Sequence, residues 1–290
     1  MLRVISEERF ELAESPRWSP SRHALMFVDL LAGRVHEHDW GGAETSRTRV
    51  HEFAQPVGVI AETPTGLIAG VGSTLVSIKE GHSSEELIDL GHGDRLRTND
   101  GACDPQGRLV FGLMAHDATP GAGLLVRLEW CDNRWTTRPL LQHTTISNGL
   151  AWSPDGTTMY HVDSATREIR AYSYGETIGD RETLARIDAG GGEPDGICVD
   201  ARGHICVALW DGGEVRRYDT DGELCGRIPV PARRPTAVCL GGHDLRTLFI
   251  TSATYGLADP TSDDGALFAV RVDTAGLSPV QWIEPTTRGV

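Results

Sequence analysis

Residues 147–163, SNGLAWSPDGTTMYHVD, contain the pattern that decides the fold. The apolar run 149–152 leads into the turn Ser-Pro-Asp-Gly at 153–156, and a second strand signal follows at 158–163. Short apolar runs on both sides of a turn containing Pro and Gly are typical of antiparallel β-strands. A third strand is predicted at 168–174, so this stretch encodes a small sheet.

The same signature returns six times along the chain. The copies align on the position six residues ahead of the turn's Pro or Ala position, which holds Glu14, Gly58, Asn99, Asn148, Asp195 and Thr236. The successive separations are 44, 41, 49, 47 and 41 residues. This spacing matches one blade of four antiparallel strands in a β-propeller. We therefore predict an all-β fold, a six-bladed β-propeller forming a single domain over residues 1–290.

The two ends of the chain are predicted to share a blade. The sixth repeat has few residues left for an outer strand, and the run 3–12 precedes the first inner strand. An N-terminal strand that closes the last blade would remove an open sheet edge.

Composition and charge exclude several classes of function. The 290 residues carry a formal net charge of −14 without a block of Lys or Arg, which disfavours binding to nucleic acid or to an anionic membrane. The first residues lack the apolar core of a signal peptide, and no stretch approaches 18 apolar residues. The six cysteines show no C-x-x-C pair. We therefore expect a cytoplasmic protein with reduced thiols.

Four of the aligned positions hold oxygen-bearing side chains, Glu14, Asn99, Asn148 and Asp195. Equivalent positions of a closed repeat protein meet on its axis. Two carboxylates and two amides form an all-oxygen set suited to Ca²⁺, Mg²⁺ or Mn²⁺, with Zn²⁺ or Fe²⁺ less favoured. Burying two carboxylates together is costly without a cation between them, so the set predicts a metal site.

A second interpretation stays open from the residues alone. Asn148-Gly149, Asp195-Gly196 and Asp100-Gly101 are ordinary turn dipeptides, and Glu14 taken alone is a solvated charge. The shared register of the copies favours the metal site, because turn chemistry does not explain a Glu in the first copy.

Further candidates for the channel mouth lie at the ends of the second strands and in nearby loops. They are Asp29, Met114, Asp163, Trp210, His116 and Tyr255. His36 and His38 share one face of a strand, which we predict to be exposed rather than metal-binding. No G-x-S-x-G motif occurs, which disfavours a serine hydrolase.

Five motifs occur in order along nearly the whole chain. They are ESPRW at 14–18, RTNDG at 97–101, SNGLAWSPDG at 147–156, EPDGICVD at 193–200 and PTAVCLGG at 235–242. Together they resemble the SMP-30/gluconolactonase/LRE family, which includes regucalcin and bacterial sugar lactonases.

The resemblance implies a six-bladed propeller with one catalytic divalent metal ion. The family's metal ligands correspond to Glu14, Asn148 and Asp195, and Asp195 is also its proton-transfer residue. The substrate-contacting Arg-x-Asn corresponds to Arg97 and Asn99. Regucalcin-like members carry a further substrate-contacting Glu in the loop after the third repeat's second strand, and residues 114–123 contain no Glu. This difference leaves the identity of the substrate open.

The sequence therefore predicts metal-dependent hydrolysis of a sugar-acid lactone, such as glucono-, arabinono-, xylono- or galactonolactone. The expected partner is this small molecule, and the oligomeric state is not specified. Two alternatives stay open at this stage. One is a non-catalytic calcium-binding or regulatory protein, and the other is a metal-dependent hydrolase of a different ester on the same fold.

Overall fold

The structure, a computed structural model, describes residues 1–41, 48–79 and 83–284. Within these ranges, 24 strands form six four-stranded antiparallel sheets. The first strands of neighbouring sheets contact one another in a closed circle, and the last contacts the first. The predicted all-β, six-bladed propeller is therefore confirmed. No helix in the described part of the chain is long and apolar enough to cross a membrane.

Each sheet is one blade, with its first strand at the axis. Blade 1 consists of β2 (Ala13–Ser19), β3 (Ala24–Asp29), β4 (Arg34–Asp39) and β5 (Thr48–Glu52). Blade 2 consists of β6 (Val57–Thr63), β7 (Gly66–Val71), β8 (Thr74–Lys79) and β9 (Glu85–Asp89). Blade 3 consists of β10 (Leu96–Cys103), β11 (Leu109–Ala115), β12 (Gly123–Cys131) and β13 (Arg134–Thr144).

The remaining blades follow the same order, except that the last one takes its outer strand from the N-terminus. Blade 4 consists of β14 (Ser147–Trp152), β15 (Thr158–Asp163), β16 (Glu168–Tyr174) and β17 (Ile178–Arg186). Blade 5 consists of β18 (Glu193–Val199), β19 (Ile205–Trp210), β20 (Glu214–Tyr218) and β21 (Leu224–Pro229). Blade 6 consists of β22 (Pro235–Gly241), β23 (Thr247–Ser252), β24 (Phe268–Arg271) and β1 (Arg3–Val4).

The closure of blade 6 by the N-terminus is confirmed, although β1 is much shorter than the predicted run 3–12. Arg3 pairs with Ala269 and Val4 with Phe268. The chain then leaves the sheet but stays attached, because the N–H of Phe10 donates to the carbonyl of Gly265 at 2.9 Å. The closing segment is therefore held by this hydrogen bond as well as by strand pairing.

His36 does not lie on an exposed strand, so that prediction was wrong. Its ring is 2% exposed, stacks on Phe27 at 4.8 Å and meets the edge of Phe10 at 5.1 Å. Burial lowers the pKa of His36 to about 4, so the imidazole is neutral at physiological pH. It serves as an aromatic core residue beneath the closing segment. His38 lies further out and contacts the hydroxyl of Thr48 at 3.2 Å.

Glycines allow the inner strands to approach one another closely around the axis. A Cβ atom on Gly149 of blade 4 would lie 2.5 Å from the carbonyl oxygen of Asp195 in blade 5. One on Gly58 would meet the backbone of Thr98, and one on Gly196 would meet Ala237. Neighbouring blades are therefore in contact through main chain at the level of the aligned positions. The Asn-Gly and Asp-Gly pairs lie within strands, and they are not turns between them.

Each inner strand also carries one extra residue near its start. The pairing with the second strand shifts between Thr98 and Gly101, between Ser147 and Leu150, and equivalently in the other four blades. Side chains of a regular strand point alternately to the two faces of the sheet. A β-bulge bends the strand and turns one side chain out of this alternation. The repeated bulges are what point the aligned positions toward the axis.

The close approach of blades 4 and 5 predicts a large effect of Gly149→Ala. The new methyl group would overlap backbone atoms that cannot rotate away, so we expect a loss of about 3 kcal/mol in the free energy of unfolding, measured by urea denaturation. Gly190→Ala is the matched control, because no atom of the described residues lies within 4 Å of its added Cβ. Equal stabilities of the two variants would contradict this account of the inner ring.

Candidate active site

The predicted site residues lie at one end of the central channel, where the six inner strands begin. We call this end the upper mouth and the opposite end, where the inner strands finish, the lower mouth. Five side chains are clustered there and are between 4% and 8% exposed: Glu14, Arg97, Asn99, Asn148 and Asp195. The aligned residues of this cluster lie within the inner strands, at or beside the bulges, and not in the loops before them.

Two of the clustered residues, Glu14 and Asp195, are buried acids. Burial, followed by the negative charge of Asp100, raises the pKa of Glu14 to about 8. Burial and then the charge of Glu14 raise the pKa of Asp195 well above its ordinary value. The Oδ1 atom of Asp195 has no hydrogen-bond partner among the residues that the structure describes. When both acids are ionised, two negative charges lie close together, and the surrounding protein compensates them only partly.

The other three residues form a hydrogen-bonded chain across blades 3 and 4. Arg97 Nη1 donates to Asn99 Oδ1 at 2.7 Å, and Asn99 Nδ2 donates to Asn148 Oδ1 at 2.7 Å. Asn148 Nδ2 in turn donates to the hydroxyl of Ser164 at 2.8 Å. This chain fixes both amides with their oxygens in defined directions. Ser164 was not predicted from the sequence, since it lies outside the aligned positions.

Arg97 provides a positive charge beside the acids. Burial lowers the pKa of Arg97 to about 10, and the charges of Glu14 and Tyr255 oppose this change. The guanidinium is therefore protonated at neutral pH. Its burial and its contact with Asn99 exclude a role as an ordinary surface ion pair.

A second layer of polar contacts lies directly below the site and was missed in the sequence. The hydroxyl of Ser15 donates to the carbonyl of Gly58 at 2.8 Å and to Asp100 Oδ1 at 2.9 Å. Arg17 Nη2 also contacts Asp100 Oδ1, at 3.2 Å. Asp100 is therefore a third buried acid with its own partners. Its position after Asn99 in the motif was a signal, but we had interpreted Asp100-Gly101 only as a turn dipeptide.

Two of the predicted mouth candidates have architectural contacts instead. Asp29 Oδ1 accepts the N–H of Leu12 at 2.9 Å, and Asp163 accepts the N–H groups of Thr145 and Ile146, both at 2.9 Å. In each case a carboxylate at the end of a second strand holds the chain that enters the first strand of the same blade. These carboxylates accept hydrogen bonds from backbone N–H groups, and they hold in place the chain that enters the inner strands at the upper mouth.

The remaining candidates, Tyr255, Trp210, Met114 and His116, have different surroundings and do not form one group. Tyr255 is half exposed, and its N–H donates to the carbonyl of Glu11 at 2.9 Å. The guanidinium of Arg234 stacks on the ring of Trp210 at 4.6 Å. Met114 is buried and pairs with Arg97 across the first two strands of blade 3, and His116 lines a separate cavity at the outer edge of that blade.

The chemistry of the cluster fits a hard divalent cation. Glu14, Asp195 and Asn148 offer only oxygen ligands, which Ca²⁺, Mg²⁺ and Mn²⁺ prefer. The unpartnered Asp195 Oδ1 and the raised pKa values of both acids show that positive charge is lacking at this point. Within the described ranges, no group of three or more His, Cys, Asp and Glu side chains is placed to hold a metal ion. A site here therefore depends on the Asn148 amide as its third ligand.

Comparison with known proteins adds an independent observation. Residues 12–254 match the family model described as SMP-30/Gluconolactonase/LRE-like region. The chain is 34% identical to the 6-deoxy-6-sulfogluconolactonase of Pseudomonas putida, over 95% of this chain and 96% of that protein. It is 33% identical to the pentonolactonase of Haloferax volcanii, over 91% of this chain and 92% of that protein.

A solved structure shows the same architecture. The calcium-binding protein regucalcin from Agrobacterium tumefaciens superimposes with a TM-score of 0.90 at 26% sequence identity, covering 97% of each chain. The two chains therefore share one architecture over nearly their full length.

The raised pKa values predict an unusual dependence of stability on pH when divalent cations are removed. In the unfolded chain Glu14 releases its proton near the ordinary pKa of 4.5, whereas in the folded protein it keeps the proton up to about pH 8. The folded state therefore binds more protons between these values. We expect the free energy of unfolding, measured in urea with a chelator present, to decrease as the pH rises from 4.5 to 8.

Glu14→Gln should flatten this decrease, because its side chain no longer ionises. Glu85→Gln is the matched control, since Glu85 is exposed on the outer strand of blade 2. A wild-type profile that is flat over this interval, or a Glu14→Gln profile as steep as the wild type, would contradict the placement of the acids.

Proposed function

Because the chain belongs to the SMP-30/gluconolactonase/LRE-like family, we propose that it is a metal-dependent lactonase. The proposed reaction is hydrolysis of a sugar-acid lactone to the free aldonic acid, which makes the enzyme a carboxylic ester hydrolase. One observation carries the proposal. Two buried acids, Glu14 and Asp195, have raised pKa values. They share the upper mouth of the channel with the charged Arg97 and with the hydrogen-bonded amides of Asn99 and Asn148.

The relatives support a sugar lactone as the class of substrate. One is named for a sulfonated gluconolactone and the other for pentonolactones. The two names specify rings with different substituents, so the proposal covers the aldonolactones as a class, including glucono-, arabinono-, xylono- and galactonolactone. The loop at 114–123, which lacks a Glu, is one place where selectivity among them would be set.

Glu14, Asn148 and Asp195 would hold the cation, which we propose to be Ca²⁺, Mg²⁺ or Mn²⁺. A divalent cation bound there would polarise the ester carbonyl and lower the pKa of a water molecule. Its charge would also oppose the effect of burial on the pKa values of Glu14 and Asp195, so that both acids would be ionised at neutral pH. Asn148 is suited to this task because Ser164 holds its amide nitrogen, and its oxygen accepts one hydrogen bond from Asn99 and keeps a second lone pair for the cation.

Asp195 is proposed to move the proton. Hydrolysis requires a proton to leave the attacking water and a proton to reach the departing ring oxygen. The Oδ1 atom of Asp195 is free of hydrogen bonds from described residues, so this atom can accept the first proton. The same carboxylic acid then delivers it to the alkoxide as the ring opens.

Arg97 and Asn99 are proposed to hold the substrate. The guanidinium has planar, directed donors that suit the hydroxyl and carbonyl oxygens of a sugar lactone. Asn99 Oδ1 accepts a hydrogen bond from Arg97 Nη1 at 2.7 Å, so the orientation of Arg97 is fixed before the substrate arrives. This preorganisation lowers the entropic cost of placing the ester beside Asp195.

The test is acid release from a panel of aldonolactones, measured by pH-stat with a divalent cation and again with a chelator. Asp195→Asn should reduce kcat by about 100- to 10,000-fold, since it removes the proton-transfer group and one metal ligand. Asp244→Asn is the control, because Asp244 pairs with Arg271 on the surface of blade 6. Full activity of Asp195→Asn would remove this residue from the mechanism.

The same panel separates the alternatives. A wild-type protein that binds the cation but hydrolyses no lactone would support a non-catalytic, calcium-binding role. Cation-dependent hydrolysis of other esters, with no activity on aldonolactones, would support a different ester as substrate.

Arg97→Lys should weaken substrate binding while leaving the cation in place. Lysine keeps the positive charge beside Glu14 but loses the planar pair of donors, so we expect kcat/KM to fall about 10- to 150-fold, equivalent to ~1.5–3 kcal/mol for hydrogen bonds to a charged group. The increase in melting temperature on adding Ca²⁺ should stay as in the wild type. Arg271→Lys, at an exposed ion pair, is the matched control. An unchanged kcat/KM in Arg97→Lys would exclude Arg97 from substrate contact.

A further inference from the structure

The lower mouth of the channel contains a cavity that the proposed reaction does not use. Its volume is about 440 Å³. It is lined by residues toward the ends of the inner strands of all six blades, among them Trp18, Ala61, Cys103, Trp152, Val199 and Leu240. None of the aligned upper-mouth residues lines it.

A polar layer separates this cavity from the upper site. Ser15, Asp100 and Arg17 follow the aligned residues Glu14 and Asn99 along their strands and bond to one another. Arg17 itself lines the cavity, whereas Asp100 does not. The two ends of the channel are therefore chemically distinct compartments.

The lining of the cavity is mostly apolar. The thiols of Cys103, Cys198 and Cys239 face it from three different blades. Burial raises the pKa of Cys103 and of Cys239 to about 12, and the charge of Arg17 opposes this rise in both. These thiols are therefore neutral and behave as small apolar groups. Arg17 lines the same cavity.

A segment near the end of the chain lies across the cavity. We call residues 275–283 the covering segment, of which residues 277–280 line the cavity. On one side Ala201 N–H donates to the carbonyl of Ala275 at 2.8 Å, and on the other Ile283 N–H donates to the carbonyl of Gly107 at 2.9 Å. Between these anchors the covering segment spans from blade 5 to blade 3.

This cavity, which opens at the lower mouth of the channel, is larger than the voids of ordinary protein interiors. Interiors are close-packed, with few voids larger than a water molecule. An apolar cavity of about 150 Å³ stays dry and binds benzene, and small-molecule sites typically measure ~300–1,000 Å³. The present volume therefore lies in the range of ligand sites.

Two side chains of the lining each have a donor without an acceptor in the described part of the chain. The indole Nε1 of Trp152 and the Nε of Arg17 are buried without an acceptor among the described residues, and both side chains line the cavity. Buried N–H groups without a partner are rare in native structures. Two acids also line the cavity, and both already accept hydrogen bonds. Glu62 accepts from the hydroxyls of Ser19 and Ser21 at 2.7 and 2.6 Å, and Asp155 accepts from the hydroxyls of Ser153 and Thr157 at 2.6 and 2.9 Å.

We propose that this lower cavity is a second binding site, which takes an apolar molecule of about ten heavy atoms that ends in a carboxylate. The apolar body lies against the tryptophans and thiols, and the carboxylate lies toward Arg17, which is the only basic side chain among the described residues of the lining. The site is separate from the proposed lactonase centre, and it requires neither the divalent cation nor activity.

Octanoate is the probe, and its binding to the full chain is measured by isothermal titration and by the fluorescence of Trp18 and Trp152. We expect one octanoate per chain, an increase in melting temperature, and at least tenfold weaker binding of octylamine, which has the same chain but the opposite charge. Octylamine that binds as well as octanoate, or octanoate binding that does not saturate near one equivalent, would overturn the proposal.

Cavity-filling variants locate the site. Cys103→Phe and Ala151→Leu place added volume in the cavity from two different blades, and each should weaken octanoate binding at least tenfold. Two variants are used so that a folding defect in one does not decide the result. Cys225→Phe is the matched control, because that thiol is exposed on the outer strand of blade 5.

Glu14→Gln distinguishes the two ends of the channel. It alters the upper site, so octanoate should bind to it with the wild-type affinity if the lower cavity is the site. Loss of octanoate binding in Glu14→Gln, or unchanged binding in both cavity-filling variants, would place the anion elsewhere and refute the proposal. Either result is independent of whether the protein hydrolyses lactones.

Discussion

The close packing of main chain around the axis is the constraint on which the rest of the structure depends. Neighbouring inner strands touch where Gly58, Gly149 and Gly196 leave no room for a side chain. This contact draws the aligned positions of six blades into one small region. The bulge at each of these positions then turns the side chains inward. A looser ring would leave the same residues too far apart to act together.

Close packing of acids has an electrostatic cost, and the protein offsets only part of it. Asp100 is compensated by Ser15 and Arg17, whereas Asp195 retains an oxygen with no partner in the described part of the chain. Arg97 supplies positive charge from one side, but it is held by Asn99 and does not pair directly with the acids in this structure. The imbalance is local to the upper mouth, and a bound cation is the simplest group that would remove it.

The two ends of the channel thus have chemically different linings along one axis. The upper mouth is polar, with its amides oriented by hydrogen bonds, and the lower mouth is apolar, with thiols and tryptophans. The polar layer of Ser15, Arg17 and Asp100 divides them. The division follows from strand direction. All six inner strands run the same way along the axis, so equivalent positions in each repeat reach the same depth in the channel.

The repeat pattern alone determined the number of blades, the closure by the N-terminus and four residues of the upper cluster. It could do so because the period of the turns and the register of polar residues are local properties of the chain. The role of His36 as a core residue, the bulges that place Asn148 and Asp195 inside strands, and the contacts of Asp100 and Ser164 were decided only by the tertiary structure. Each of these depends on segments that are far apart in sequence or on a backbone irregularity of a single residue, neither of which a periodic pattern specifies. The lower cavity belongs to the same group, because it exists only where the ends of six inner strands and the covering segment meet.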